Sequence, residues 1–174
     1  MPSVDAPAAF RQQLLGAIPR LRRYARSLLF DAHAADDLVQ TTLERALGHW
    51  HQFDQHRDIL VWVIGIAHNA HMDDLRRQSR NVSVSLDDAG ELVAPAAEPG
   101  LRLDLMAALR RLPGEQREPL LLVTLEQLSY AECAELLHIP IGTVMSRISR
   151  GRAALRDHLE GKPVAAARGL RRVV

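Results

Sequence analysis

Residues 129–159 read SYAECAELLHIPIGTVMSRISRGRAALRDHL. Ser129 followed by Glu132 is the pattern of a capping box, in which each side chain satisfies an orphan amide of a helix's first turn. A helix is therefore expected to start at Tyr130. Ala131, Ala134 and Leu137 are spaced to form its inner face, and HIP (138–140) ends it. Gly142 or Thr143 then opens a second helix, with Val144, Ile148 and Leu155 turned inward and Arg147, Arg150, Arg152 and Arg156 on its other side. A helix, a turn of about four residues and a second helix with a basic exposed side is the helix-turn-helix design.

In that design the second helix enters the major groove and its N-terminal residues meet base edges. Thr143, Met145, Ser146, Arg147 and Ser149 are the candidates for bases, and Arg150, Arg152 and Arg156 for phosphates or the next base pair. A bidentate arginine on guanine discriminates by about 1–3 kcal/mol, whereas a phosphate contact adds affinity without sequence preference. A solvated amphipathic helix is the plain alternative. Taken alone, the segment leaves repressor, activator and basal machinery open.

The rest of the chain has room for one ordinary domain or two small ones, with 47% hydrophobic residues for packed cores. Net charge is only +1, but it is segregated. Residues 81–100 carry Asp87, Asp88, Glu91 and Glu98 and no base, while 141–174 carry seven Arg and one Lys against Asp157 and Glu160. The C-terminal segment is the anion-binding candidate. Cys133 is alone, which excludes an intramolecular disulfide framework and points to a reducing, cytoplasmic setting. MPSVDAPAAFRQQLL lacks the form of a signal peptide, and the longest apolar run, Ile59–Ile66, is far short of a membrane span, so no membrane insertion is expected.

Phe10, Leu14, Ile18, Leu21, Ala25 and Leu28 recur at helical steps, as do Leu38, Thr42, Ala46 and Trp50. A third helix is expected from about Leu60 to Arg77, after the polar loop HQFDQHRD. Phe53 and Trp62 suit core packing better than base stacking. Residues 81–100 read as a flexible acidic linker; VSVSL inside them could form a short strand but has no partner nearby. The second domain restarts at LRLDLMAALRRL and pauses at PGEQ. Pro119 then sits within a helical pattern, where it removes a backbone hydrogen bond, so the helix is expected to start late or bend there.

These motifs together resemble the extracytoplasmic-function (ECF) subfamily of sigma-70 type RNA polymerase sigma factors. SYAECAELLHIPIGTVMSRISRGRAALRDHL resembles its region 4.2, ADDLVQTTLERAL its region 2.2, and ILVWVIGIAHNAHMDDLRR its region 2.3–2.4 helix. The resemblance implies an all-α protein of two small helical domains joined by a flexible linker. Residues 1–80 correspond to region 2, 81–100 to the linker, 101–161 to region 4, and 162–174 to a basic tail beyond the family pattern.

The resemblance also implies roles. Asp36, Asp37, Gln40, Glu44 and Arg45 match the helix that binds the β′ clamp helices of core RNA polymerase, with Thr41 where the family commonly has Glu. Gln52, Asp54, Gln55, His56 and Arg57 in the loop, and His68, Asn69 and Asp73 on the following helix, match the pocket for the −10 element. Arg76, Arg77 and Arg80 suit its phosphates. Thr143, Met145, Ser146, Arg147, Ser149, Arg150 and Arg152 match the −35 reader. His68 and Met145 stand where the family commonly has a larger basic residue. Expected partners are core polymerase through β′ and β, promoter DNA and an anti-sigma factor. No catalytic group, cofactor or metal is implied.

Two other classes compete. A conventional regulator would use the helix-turn-helix on an operator, but has no need of polymerase-binding and −10 motifs together. A helical metal protein could use His68 and His71, three apart, with Asp73 or Asp74; no second cluster in the sequence supplies the remaining ligands.

Overall fold

The computed structural model describes residues 6–82 and 101–160. The acidic segment 83–100, with most of VSVSL, and the basic tail lie outside them. Among the described residues all regular structure is helical: α1 (Ala8–Leu29), α2 (Ala32–Gly48), a single 3-10 turn (Trp50–Gln52), α3 (Ile59–Val82), α4 (Leu101–Arg111), α5 (Gly114–Thr124), α6 (Tyr130–Leu137) and α7 (Ile141–Leu159). None of these helices is long and apolar enough to cross a membrane.

Helices α1–α3 pack on one another as an N-terminal unit. α1 buries Phe10, Leu14, Ala17, Leu21, Tyr24, Ala25 and Leu28, a stripe of three- and four-residue steps. Ile18 of the expected stripe is only half-buried. α2 is capped by Asp31, whose carboxylate accepts the Ala34 N–H at 2.8 Å, and it buries Leu38, Thr42 and Ala46 as expected. Phe53 is buried, with its ring centroid 5.3 Å from that of Trp62 and 5.8 Å from that of Phe10. Both aromatics therefore serve the core. α3 is longer at its C-terminal end than the sequence suggested, reaching Val82.

Helices α4–α7 form the C-terminal unit, with α7 packed across α4, α5 and α6. The break expected at PGEQ falls at Leu112–Pro113, and α5 begins at Gly114. Pro119 lies inside α5 without ending it. Its missing N–H forfeits one backbone bond, but Pro119, Leu120, Leu121 and Leu122 are all buried, and that packing holds the turn in place. The capping box of α6 is present in full: Glu132 N–H donates to Ser129 Oγ at 3.2 Å, and Ser129 N–H to Glu132 Oε2 at 2.8 Å. The Ser129 hydroxyl and then its amide hold the Glu132 carboxyl below the usual carboxylate range.

The inner face of α6 differs from the expected one. It is Cys133, Leu136 and Leu137 that are buried, while Ala131 is exposed and Ala134 half-buried. Alanine spacing alone does not choose between adjacent helical stripes, and the larger side chains took the core. His138 (φ 54°) closes α6 in the left-handed region, donating its N–H towards the carbonyls of Ala134 and Glu135. α7 then starts at Ile141 behind Pro140. Gly151 is where α7 approaches α5: a Cβ there would stand 3.3 Å from the Gln116 carbonyl oxygen.

Ser129→Ala removes a cap acceptor and should cost about 1 kcal/mol of stability, read as a lowered denaturation midpoint with an unchanged m-value. The share carried by Glu132 is present above its unfolded pKa and is lost as pH falls through its depressed folded value, so wild type and variant converge in acid.

Candidate nucleic-acid interface

The exposed side of α7 presents Met145, Ser146, Ser149, Arg150 and Arg152; Met145 is 52% exposed. Thr143 and Arg147 are half-buried at its edge. Val144 and Ile148 point into the core, with Leu155 only partly covered. Arg147 Nη2 lies 3.2 Å from Glu115 Oε2 at the start of α5, and Arg150 Nε donates to the Ser146 carbonyl at 3.3 Å. Glu115 thus holds one arginine of this face, a role that nothing in the local sequence of α7 could suggest.

In the N-terminal unit Gln52, Asp54, Gln55, His56 and Arg57 are all exposed on the loop before α3. Asp54 shapes that loop by accepting the His56 N–H at 3.0 Å. Asn69 is exposed on α3 and Asp73 half-exposed, followed by Arg76, Arg77 and Arg80 on the exposed distal turns. Asp73 is shared between Arg45 of α2 (3.3 Å) and Arg76 (3.4 Å), and Arg77 pairs with Asp74 at 3.4 Å.

His68 departs from the expected arrangement. It is only 7% exposed, because it falls four residues after Ile64 on the inward stripe of α3 that also carries Leu60 and Ala67. Its Nδ1 lies 2.7 Å from Glu118 Oε1, the same oxygen that accepts the Tyr24 hydroxyl at 2.6 Å. In this conformation His68 joins the two units instead of facing DNA. Burial, then the Glu118 charge, raises the Tyr24 phenol, and the same two causes push the Cys133 thiol up to about 12. Burial lowers His71. With one His68 nitrogen engaged by Glu118, the metal reading loses a ligand, and among the described residues no group of three or more His, Cys, Asp or Glu could hold an ion.

A separate polar face lies on α2, where Asp36, Asp37, Gln40 and Glu44 are exposed and Arg45 half-buried. Gln40 Nε2 donates to Glu44 Oε1 at 3.0 Å, and Asp36 faces Arg22 and Arg26 of α1 at 3.8 and 3.9 Å. Beside it an apolar groove of about 180 Å³ is lined by Arg11, Leu14, Leu15, Ile18, Leu43 and Leu47. Sequence periodicity finds the buried side of α1; it gives no sign of Leu15, which is 65% exposed.

A helix-turn-helix with a basic outer face, carried beside a three-helix unit with a polar α2 face, is the architecture of a two-domain sigma factor. Residues 102–155 match the family model for sigma-70 region 4, and residues 14–68 match that for the sigma2 domain of PhyR. The ECF RNA polymerase sigma factor EcfG of Rhodopseudomonas palustris is 36% identical over 160 residues, covering 89% of this chain and 86% of that protein. SigM of Bacillus subtilis, also an ECF RNA polymerase sigma factor, is 32% identical over 139 residues, covering 77% and 85%. Among solved structures, the sigma factor RpoE of Bartonella quintana, in complex with the anti-sigma factor NepR, superposes with a TM-score of 0.79 at 32% identity over 88% of this chain and 98% of that one. This chain belongs to the ECF family of RNA polymerase sigma factors.

Proposed function

We propose that this sigma factor divides its labour by domain. Residues 1–80 bind polymerase and hold the −10 element, residues 81–100 link, and residues 101–161 read the −35 element, with 162–174 as a basic tail. The observation that carries this is the presence in one chain of two solvent-facing polar surfaces of different character: the basic face of α7 and the mixed acidic face of α2. Asp36, Asp37, Gln40, Glu44 and Arg45 dock on the β′ clamp helices of core polymerase, while the second domain meets the β subunit.

Gln52, Asp54, His56, Arg57 and Asn69 form the −10 pocket, with Asp73 bracing Arg76 and with Arg77 and Arg80 towards the phosphates. Extruding a base costs a few kcal/mol, which pocket and backbone contacts offset. His68 reaches this surface only if the two units part. On α7 Thr143, Ser146, Arg147, Ser149, Arg150 and Arg152 read or anchor the −35 duplex. Met145 can neither donate to guanine nor neutralise phosphate, so it meets an apolar edge such as a thymine methyl. Such a factor acts by binding and positioning in the cytoplasm and performs no chemistry itself. The resemblance to a sigma factor solved with its anti-sigma protein supports a similar inhibitory partner here.

Reconstitution tests the reading. Core polymerase and this chain on cognate promoter DNA should yield a specific transcript with no other sigma factor present. Failure to bind core polymerase, or repression of transcription by an intact holoenzyme, would instead point to an operator-binding regulator.

A further inference from the structure

The two units meet through polar contacts in which the C-terminal unit supplies carboxylates and the N-terminal unit supplies donors. Glu118 of α5 accepts Tyr24 Oη at 2.6 Å and contacts His68 Nδ1 at 2.7 Å. Glu126, in the turn after α5, accepts Arg20 Nε and Arg23 Nη2, each at 3.1 Å, and its side chain is fully buried. Main-chain oxygens of the same turn add to this: Arg20 Nη2 donates to the Glu126 carbonyl at 3.0 Å, and Arg23 Nη2 to that of Leu125 at 3.1 Å. Further along, Glu135 of α6 pairs with Arg57 at 3.2 Å.

Such an interface is specific yet reversible. A buried carboxylate that keeps its domain in place but loses its partners would be strongly disfavoured, so partial slippage is resisted. When the units separate completely, every one of these groups returns to water, and polar interfaces between domains are the ones that open.

The closed arrangement also conflicts with promoter geometry. Elements centred at −10 and −35 lie about 25 base pairs apart, roughly 85 Å of B-DNA at 3.4 Å per pair. About 140 residues packed together have a radius of gyration near 14 Å, too small to reach both. The 18 residues from 83 to 100 have a contour length of roughly 60 Å, enough to let the units part.

We propose that Glu118 with Tyr24 and His68, and Glu126 with Arg20 and Arg23, form an interdomain latch that keeps the free chain closed and unable to engage both promoter elements. The proposal rests on the sigma-factor reading for its DNA consequence, but not for the closure itself. The latch explains why His68 stands where a larger basic residue is common in the family: an imidazole fits the buried space beside Glu118. A ligand that needs the open state binds with an affinity reduced by the open fraction, so weakening the latch should raise that affinity.

The test uses the full chain with donor and acceptor dyes at Gln13→Cys and Ala107→Cys, both exposed positions, one on each unit. Cys133 is buried, its thiol held up at about 12, and so competes poorly for label. The free wild type should show one short distance. Glu126→Ala, and independently Arg20→Ala with Arg23→Ala, should populate a longer one. The same variants should bind a duplex carrying both elements several-fold more tightly than wild type, and an isolated −35 fragment equally well, because α7 is already exposed. The −35 fragment and the far-ultraviolet helix signal report that each variant is folded. A free wild type that is already extended, or two folded variants that leave the distance unchanged, would overturn the latch. If the chain failed to direct initiation, the sigma reading would fall while the distances still decided the closure.

Discussion

Arg147→Ala combined with Arg150→Ala should lower affinity for the −35 element by one to three orders of magnitude and leave the affinity for core polymerase unchanged. A bidentate arginine–guanine contact is worth about 1–3 kcal/mol, and two such losses span that range. The two sites are not equivalent. Arg147 is held at 3.2 Å by Glu115, which limits the orientations of its guanidinium, whereas Arg150 is fully on the exposed side and bonds only back to the Ser146 carbonyl in its own helix. Arg147 should therefore account for most of the sequence preference, and Arg150 for more of the salt dependence. The folded state should tolerate both changes, because the Arg147–Glu115 pair is solvent-accessible and such pairs contribute at most about 1 kcal/mol. Band-shift measurements on matched and mutated −35 duplexes at two salt concentrations, with a parallel core-binding assay, separate these effects. An equal fall in core binding would place α7 in the wrong interface.

Local chemistry was readable where it is decided within a few residues. Ser129 and Glu132 satisfy each other's amides three positions apart, and the start of α6 followed from them. Phe53 and Trp62 went to the core because a cluster of large apolar rings has more to gain there than in water. The misreadings have a common physical origin in partners far away along the chain. His68 looked like a DNA contact because its neighbours Asn69 and Asp73 are polar, yet its place on the stripe of Leu60 and Ile64 sent it inward, to a glutamate 50 residues later. Pro119 looked like a helix break, and tertiary packing of Leu120–Leu122 overrode that local preference. Ala131 lost its expected place to Cys133 and Leu136, a choice that depends on the facing helices. Phe30 belongs to the same class. A bulky residue at φ 57° is costly in isolation, but Arg110 donates to its carbonyl at 3.1 Å while Arg117 lies 4.9 Å from its ring centroid. The functional surfaces were easier to place than the contact between the units, because exposed residues need no partner to be recognised. The latch carboxylates, by contrast, are indistinguishable in sequence from surface glutamates.

Asp36→Ala with Gln40→Ala should weaken core polymerase binding at least tenfold while the −35 affinity of α7 stays as it was. Both side chains are exposed on α2, and neither is needed for the fold. Asp36 sits 3.8 and 3.9 Å from Arg22 and Arg26, long contacts between groups more than half exposed, which water screens. Gln40 makes one surface hydrogen bond to Glu44, of the helical kind worth a few tenths of a kcal/mol. Thermal unfolding should therefore shift by only a few degrees. A large loss of core affinity would then have to come from contacts made across the interface and not from a damaged helix. The groove of Leu14, Leu15, Ile18, Leu43 and Leu47 adjoins this face on the α1–α2 side, and Leu43 and Leu47 lie one turn beyond Gln40 and Glu44. If polymerase also covers the groove, polar truncation should reduce the association rate more than it raises dissociation, since charges steer encounter and buried apolar contacts set residence time. Titration of labelled core polymerase by fluorescence anisotropy, with stopped-flow rates, measures both. Core affinity that survives the double substitution would remove α2 as the docking surface and move the search to the remaining exposed faces of the N-terminal unit.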